Sequence, residues 1–181
     1  PLALADVDGD GQLDLFVGGR VVPGRYPEPA SSLLFRGVAG KFVKDEENSH
    51  RLAQVGLVSG AVCSDLDGDG EPDLVLACDW GPLRLFRNEA GKLQPWEARL
   101  TWSDGGTITH HASRITHEPL TINHQPFTIS HLSGWWTGVT TGDFDGDGRL
   151  DIVAANWGRN TRYELHRAQP LQLFDGDLDG D

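Results

Sequence analysis

The sequence predicts an all-β protein built from about three copies of one sheet unit, and three observations carry that prediction. Short apolar runs rich in Leu, Val, Ile and Phe are bounded by Gly, Pro, Asp and Asn, the pattern of strands joined by tight turns. One acidic loop returns after Ala-Leu-Ala-Asp6, Val-Cys-Ser-Asp65 and Thr-Thr-Gly-Asp143, each time followed by another apolar run. Helical periodicity is confined to a weak stretch from Glu46 to Val55.

Taken in order, strands are expected at residues 2–5, 13–18, 32–36, 41–44, 57–64, 74–78, 83–87, 136–142, 150–155 and 171–174. The run Leu74-Val75-Leu76-Ala77-Cys78 is apolar on both faces, as for an inner strand covered on each side. The loops begin at Asp6, Asp65, Asp143 and Asp177, intervals of 59, 78 and 34 residues, so the repeat is not strictly regular. The units are read as residues 1–56, 57–142 and 143–181, the last cut short within a loop, and the chain is expected to be an internal piece of a longer repeat. Roughly 60-residue units of four or five strands suit the blades of a β-propeller, with a sandwich as the other arrangement.

One tract departs from the pattern. Thr107-Ile-Thr-His110, Arg114-Ile-Thr-His117, Thr121-Ile-Asn-His124 and Thr128-Ile-Ser-His131 repeat every seven residues. The tract lacks the second apolar stripe of a coiled coil, and Pro119 and Pro126 forbid a continuous helix. It is read as a low-complexity insertion over residues 104–131, and its histidines, including His111, as a solvated loop rather than a transition-metal site.

The formal charge of −12 argues against nucleic acid or anionic lipid as a partner, and no apolar run approaches membrane-spanning length. Much of the acid is concentrated. In Asp6-Val-Asp8-Gly-Asp10-Gly-Gln12-Leu-Asp14, carboxylates fall at positions 1, 3, 5 and 9, with glycines at 4 and 6. The same spacing recurs as Asp65, Asp67, Asp69, Asp73 and as Asp143, Asp145, Asp147, Asp151, while Asp177, Asp179 and Asp181 begin a fourth set. Unit charges about 5 Å apart at an effective dielectric of ~20 repel by roughly 3 kcal/mol per pair. Such a cluster calls for a cation, and oxygen ligands on alternate residues of a tight loop suit Ca²⁺. Position 7, which is Gln12, Glu71 or Arg149, is expected to add a backbone carbonyl. An EF-hand would need Glu at position 12 and flanking helices, whereas Val17, Leu76 and Ala154 stand there in strand-like runs. An Asp-Gly hairpin turn would account for one such pair in each loop but not for four carboxylates in fixed register.

These strand–DxDGDGxxD–strand units, followed by Leu15-Phe-Val-Gly-Gly19 and Ile152-Val-Ala-Ala-Asn156, resemble the FG-GAP or VCBS repeats of integrin α-chain propellers and secreted bacterial relatives. Gly134-Trp-Trp and Asn156-Trp-Gly-Arg-Asn-Thr-Arg resemble the bacterial branch, which is also similar to cartilage acidic protein. The resemblance covers most of residues 1–103 and 132–181. It implies a partial seven-bladed propeller with calcium in the hairpins between the first and second strands of each blade. It further implies an extracellular, cell-surface or periplasmic role in adhesion and recognition, with the remaining blades of a parent propeller as neighbours.

If the acidic loop joins strands one and two, the next connection emerges at the opposite end of the blade. Residues 19–31, 79–82 and 156–169 then share a face carrying Arg20, Arg25, Tyr26, Trp80, Trp157, Arg159, Arg162 and Tyr163, expected to bind a protein or glycan. No HExxH, GxSxG or P-loop occurs, so the chain is read as non-catalytic. The propeller part of a secreted carbohydrate-active lyase or hydrolase is one alternative, and a purely structural calcium-stiffened repeat another. Cys63 and Cys78 flank the second loop in apolar runs, either as buried free thiols or as a hairpin disulfide.

Overall fold

The computed structural model describes residues 1–99, 121–122, 125–126 and 128–157. Their architecture is nearly all-β, a partial propeller of antiparallel blades. Blade 1 is the meander β1 (Leu2–Ala5), β2 (Asp14–Val17), β3 (Leu33–Val38) and β4 (Lys41–Lys44). A short helix, α1 (Glu46–Arg51), leads into blade 2, formed by β5 (Leu57–Ser64), β6 (Asp73–Asp79), β7 (Arg84–Glu89) and β8 (Lys92–Pro95). After two-residue strands β9 (Thr121–Ile122) and β10 (Gln125–Pro126), blade 3 opens with the hairpin β11 (Trp136–Gly142) and β12 (Asp151–Asn156). Because β11 pairs with β12, the third sheet begins at Trp136, ahead of its acidic loop.

The expected strands lie within a residue or two of the observed ones wherever they are described; residues 171–174 lie outside the described residues. Strand β8 was not foreseen, since Lys92-Leu-Gln-Pro95 is half polar and only Leu93 enters the core. The weak helical stretch closes into α1 because Asp45 caps it, its carboxylate accepting the Asn48 amide at 2.9 Å. Cys63 and Cys78 are free thiols. Cys63 lies opposite Leu74 and Cys78 opposite Val58, several residues apart along the hairpin and beyond the reach of a disulfide. Burial pushes the Cys63 thiol up to about 12 and the Cys78 thiol up to about 11, so neither is a nucleophile at neutral pH.

Strand β6 is buried over its whole length, and its alternating side chains serve two cores. Leu74, Leu76 and Cys78 pack with Phe16, Leu34, Leu52 and Val58 between blades 1 and 2. Val75 and Ala77 pack with Leu85, Ile129, Trp136, Ile152 and Ala154 between blades 2 and 3. The seven-residue phrases lie mostly outside the described residues. Arg99 and Thr128 form an antiparallel bridge.

The free face of blade 1 repeats a buried one. Leu2, Leu4, Leu15, Val17, Phe35 and Phe42 hold the register positions that Ala61, Cys63, Leu74, Leu76, Phe86 and Leu93 hold in blade 2. Phe86 is 4% exposed against blade 1, whereas Leu2 is 66% and Phe42 53% exposed.

Blades 2 and 3 meet closely where first strands run side by side. Both strands carry a register irregularity in the same place, between Val58 and Gly60 and between Trp136 and Gly138. A Cβ on Gly60 would stand 2.9 Å from Gly138 Cα and 3.1 Å from the Val139 nitrogen, whereas one on Gly138 meets nothing within 4 Å. Gly60→Ala should therefore cost about 1–3 kcal/mol in denaturant unfolding. Gly138→Ala, the same change one blade away, should leave the midpoint nearly unmoved.

Candidate metal centres and the opposite aromatic face

Each acidic loop closes a hairpin between the first two strands of a blade, and the three are built alike. The first aspartate accepts three backbone N–H groups. For Asp6 the donors are Gly9 (2.9 Å), Asp10 (3.1 Å) and Gly11 (2.8 Å). For Asp65 they are Gly68, Asp69 and Gly70, at 2.8, 3.1 and 2.9 Å. For Asp143 they are Gly146, Asp147 and Gly148, at 2.7, 3.1 and 3.0 Å. The glycines at positions 4 and 6 have φ between +75° and +91°, a left-handed turn that any Cβ would strain.

The ninth aspartate reaches back to the amide of position 2: Val7 to Asp14 at 2.9 Å, Leu66 to Asp73 at 3.0 Å, Phe144 to Asp151 at 2.9 Å. Its other oxygen holds the third strand in blades 1 and 2, through Gly37 N to Asp14 and Asn88 N to Asp73, each 2.9 Å. Asp14 and Asp73 are buried. Burial raises the Asp73 carboxyl above its usual range, opposed by the Asn88 and Leu66 amides and reinforced by the charges of Asp67 and Asp69.

In each loop three carboxylates offer oxygens within 4.8 Å of one another: Asp6, Asp8, Asp10; Asp65, Asp67, Asp73; and Asp143, Asp145, Asp151. Oxygens sharing one ion at about 2.4 Å cannot stand farther apart than about 4.8 Å, so the spacing fits a shared cation. The donor set contains only oxygen, which suits a hard divalent ion. Asp69 and Asp147 stand outside these triplets. Asp69 takes the Arg87 guanidinium at 3.4 Å and Asp147 that of Arg149 at 2.7 Å. Asp177, Asp179 and Asp181 lie outside the described residues.

Position 7 has a use that sequence spacing did not show. Gln12 accepts the Ala39 amide at 2.9 Å and Glu71 accepts the Ala90 amide at 2.7 Å. Ala39 and Ala90 hold φ of 49° and 51° at equivalent turns between the third and fourth strands. The side chain therefore fastens the blade's outer hairpin to its loop. Arg149 instead turns its guanidinium onto Asp147.

Two arginines were also missed. Arg36 and Arg87 follow Phe35 and Phe86 at the same register of the third strand. Arg36 Nη1 lies 3.0 Å from Asp14 and 3.4 Å from Asp8, Nε bonds Asp45 at 2.8 Å, and Nη2 bonds the Gly91 carbonyl at 2.5 Å. Arg87 Nη2 lies 2.6 Å from Asp67. Nothing local in the sequence marks them, since their partners are distant along the chain; only the shared Phe-Arg phrase could have drawn notice.

At the other end of the hairpins the structure brings together Tyr26, Trp80 and Trp157 and adds Trp135. Trp80 and Trp135 are stacked at 4.8 Å, Trp135 meets Trp157 edge to face at 4.2 Å, and Trp80 Nε1 donates to the Tyr26 hydroxyl. Arg20 bonds buried Asp79 through Nη2 at 2.7 Å and Nε at 2.8 Å. Asp79 Oδ1 is buried without a hydrogen-bond partner among the described residues. Arg25 pairs with Glu28 in solvent. Arg159, Arg162 and Tyr163 lie outside the described residues. The phrase Gly134-Trp-Trp was the signal for Trp135.

Residues 120–154 match the family described as FG-GAP-like repeat. The matched segment runs through the third acidic loop and its hairpin, and it identifies a repeat of propeller type in this chain. No curated protein matches the chain.

Asp45 joins the first loop to α1, since its carboxylate takes Arg36 Nε and two Asn48 donors. Burial raises its pKa, but the bonds from Asn48 and Arg36 outweigh this and hold it below the usual range. A depressed folded pKa contributes stability above the unfolded value and loses it as pH falls through the folded one. Asp45→Ala should cost about 2–3 kcal/mol at pH 7. In parallel melts the gap between wild type and variant should narrow as pH falls below about 4. A constant gap would show that the charge of Asp45 contributes nothing.

Proposed function

We propose that the chain is a calcium-binding module of an extracellular, cell-surface or periplasmic FG-GAP/VCBS propeller, acting in non-catalytic recognition. The supporting observation is the repetition of one loop geometry three times, with converging carboxylates in each. Calcium would take the three carboxylates of each triplet and the position-7 carbonyls of Gln12, Glu71 and Arg149, supplying charge that the loops otherwise lack. Loops of this composition suit the millimolar calcium outside cells. The exposed apolar face of blade 1 takes a further blade of the parent propeller, because the equivalent face of blade 2 is already filled in that way.

Recognition is assigned to the opposite face, where Tyr26, Trp80, Trp135 and Trp157 form a half-exposed aromatic surface beside Arg20 and Arg25. Aromatic and arginine side chains dominate binding energy at such surfaces. Arg159, Arg162 and Tyr163 continue the same run of sequence. A protein or glycan outside the cell is the proposed ligand class.

Calorimetric titration with calcium should count three ions per chain, and excess chelator should lower the melting temperature by well over 5 °C. A folded chain that takes up no calcium would overturn the reading.

Trp135→Ala and Trp157→Ala should weaken binding to immobilised matrix proteins or polysaccharides about tenfold or more, leaving calcium-dependent melting in place. Unchanged binding in both variants would remove this face from the proposal.

A further inference from the structure

Loops 1 and 2 share a backbone yet differ in how the protein presents an arginine to them. In loop 1 the ninth aspartate is fully committed. Asp14 Oδ1 accepts Gly37 N, while Oδ2 accepts both Val7 N and Arg36 Nη1. The converging triplet there is Asp6, Asp8 and Asp10, without Asp14. In loops 2 and 3 the ninth residues, Asp73 and Asp151, belong to the triplet.

Arg36 is also immobile. Its side chain is 17% exposed and is held at once by Asp45, Asp14 and the Gly91 carbonyl of blade 2. Gly91 comes so close that a Cβ there would stand 3.1 Å from Asp8 Cβ. Asn88, from the same turn, donates to the Val7 carbonyl inside loop 1 at 2.8 Å. The guanidinium therefore cannot leave without opening the junction between blades 1 and 2.

Arg87 occupies the equivalent place in blade 2 under different conditions. Its side chain is 45% exposed, and among the described residues its ion pairs are with Asp67 and Asp69 of its own loop. Asp67 belongs to the converging triplet of loop 2. An ion entering that loop must draw Asp67 away from the guanidinium or bind beside a positive charge.

We propose that these two third-strand arginines rank the first two calcium loops: Arg36 stands permanently at Asp14 and makes loop 1 the weaker site, while Arg87 is a displaceable competitor that lowers the affinity of loop 2. The inference rests on the calcium reading above. Its physical basis is the repulsion between a fixed monovalent cation and a divalent one sharing the same carboxylates.

The test is a calcium titration of the full chain followed by NMR at the amides of Gly11, Gly70 and Gly148, each of which bonds the first aspartate of its own loop. In the wild type Gly11 should respond after Gly70. Arg87→Gln should tighten the Gly70 response about tenfold and leave that of Gly148 unchanged, while Arg87→Lys should stay near wild type. Arg87 is half exposed and, among the described residues, its side chain bonds only its own loop, so its replacement tests the idea without disturbing the blade junction. If Gly11 titrates with or ahead of Gly70, or if Arg87→Gln leaves Gly70 unmoved, the ranking is wrong although calcium binding stands. If no glycine responds in a folded wild type, the calcium reading falls and the ranking with it.

Discussion

The carboxylate at the ninth position of each loop, buried in the first two, is the constraint around which one end of this molecule is arranged. Asp14, Asp73 and Asp151 each take the amide of position 2, which fixes how the loop leaves the first strand. In the two complete blades the same side chain also takes an amide of the third strand. One residue therefore sets the hairpin and docks its neighbour. Burying an ionised carboxylate is costly unless its oxygens are bonded, and backbone donors meet that need at both oxygens. The remaining aspartates are then carried to the rim, where their carboxylates converge.

The same geometry joins loops to the neighbouring blade. Asn88 spans from the third strand of blade 2 to the Val7 carbonyl of blade 1, and Asn48 of α1 bonds both the Gly91 carbonyl and the Leu93 amide. Both asparagines are buried with their amides engaged. Polar side chains thus stitch the outer edge of the blade pair, around an apolar core that runs from Phe16 and Val58 out to Phe86 and Leu93. Satisfied buried networks of this kind favour one docking geometry over nearby alternatives.

Much of this was legible in the sequence, and the exceptions have a common cause. Period and spacing reveal what a residue does within its own hairpin, so the loops, the first two strands of every blade and the doubly buried β6 could be read directly. Long-range contacts leave no such trace. Arg36 and Arg87 read as ordinary charged residues in short strands, and Asp79 as part of a turn. The position-7 side chains Gln12 and Glu71 looked interchangeable, because a shared backbone role would tolerate any residue. In the fold both fasten a distant turn, a task that Gln and Glu perform with the same oxygen. Strand β8 escaped because an outer strand buries one residue in four and needs no apolar pattern. Residues 177–181 and most of the histidine tract fall outside the described residues.

The double burial of β6 also governs how the molecule comes apart. Its even-numbered side chains belong to one core and its odd-numbered ones to the other. Loss of blade 1 exposes one side of the strand, and loss of blade 3 exposes the other. Neither event leaves β6 with its full set of apolar neighbours. In a linear array of repeats, stability is shared between each unit and its interfaces. Here the shared strand makes the interface term large, so the blades unfold as a cooperative group and thermal damage at one spreads to the next.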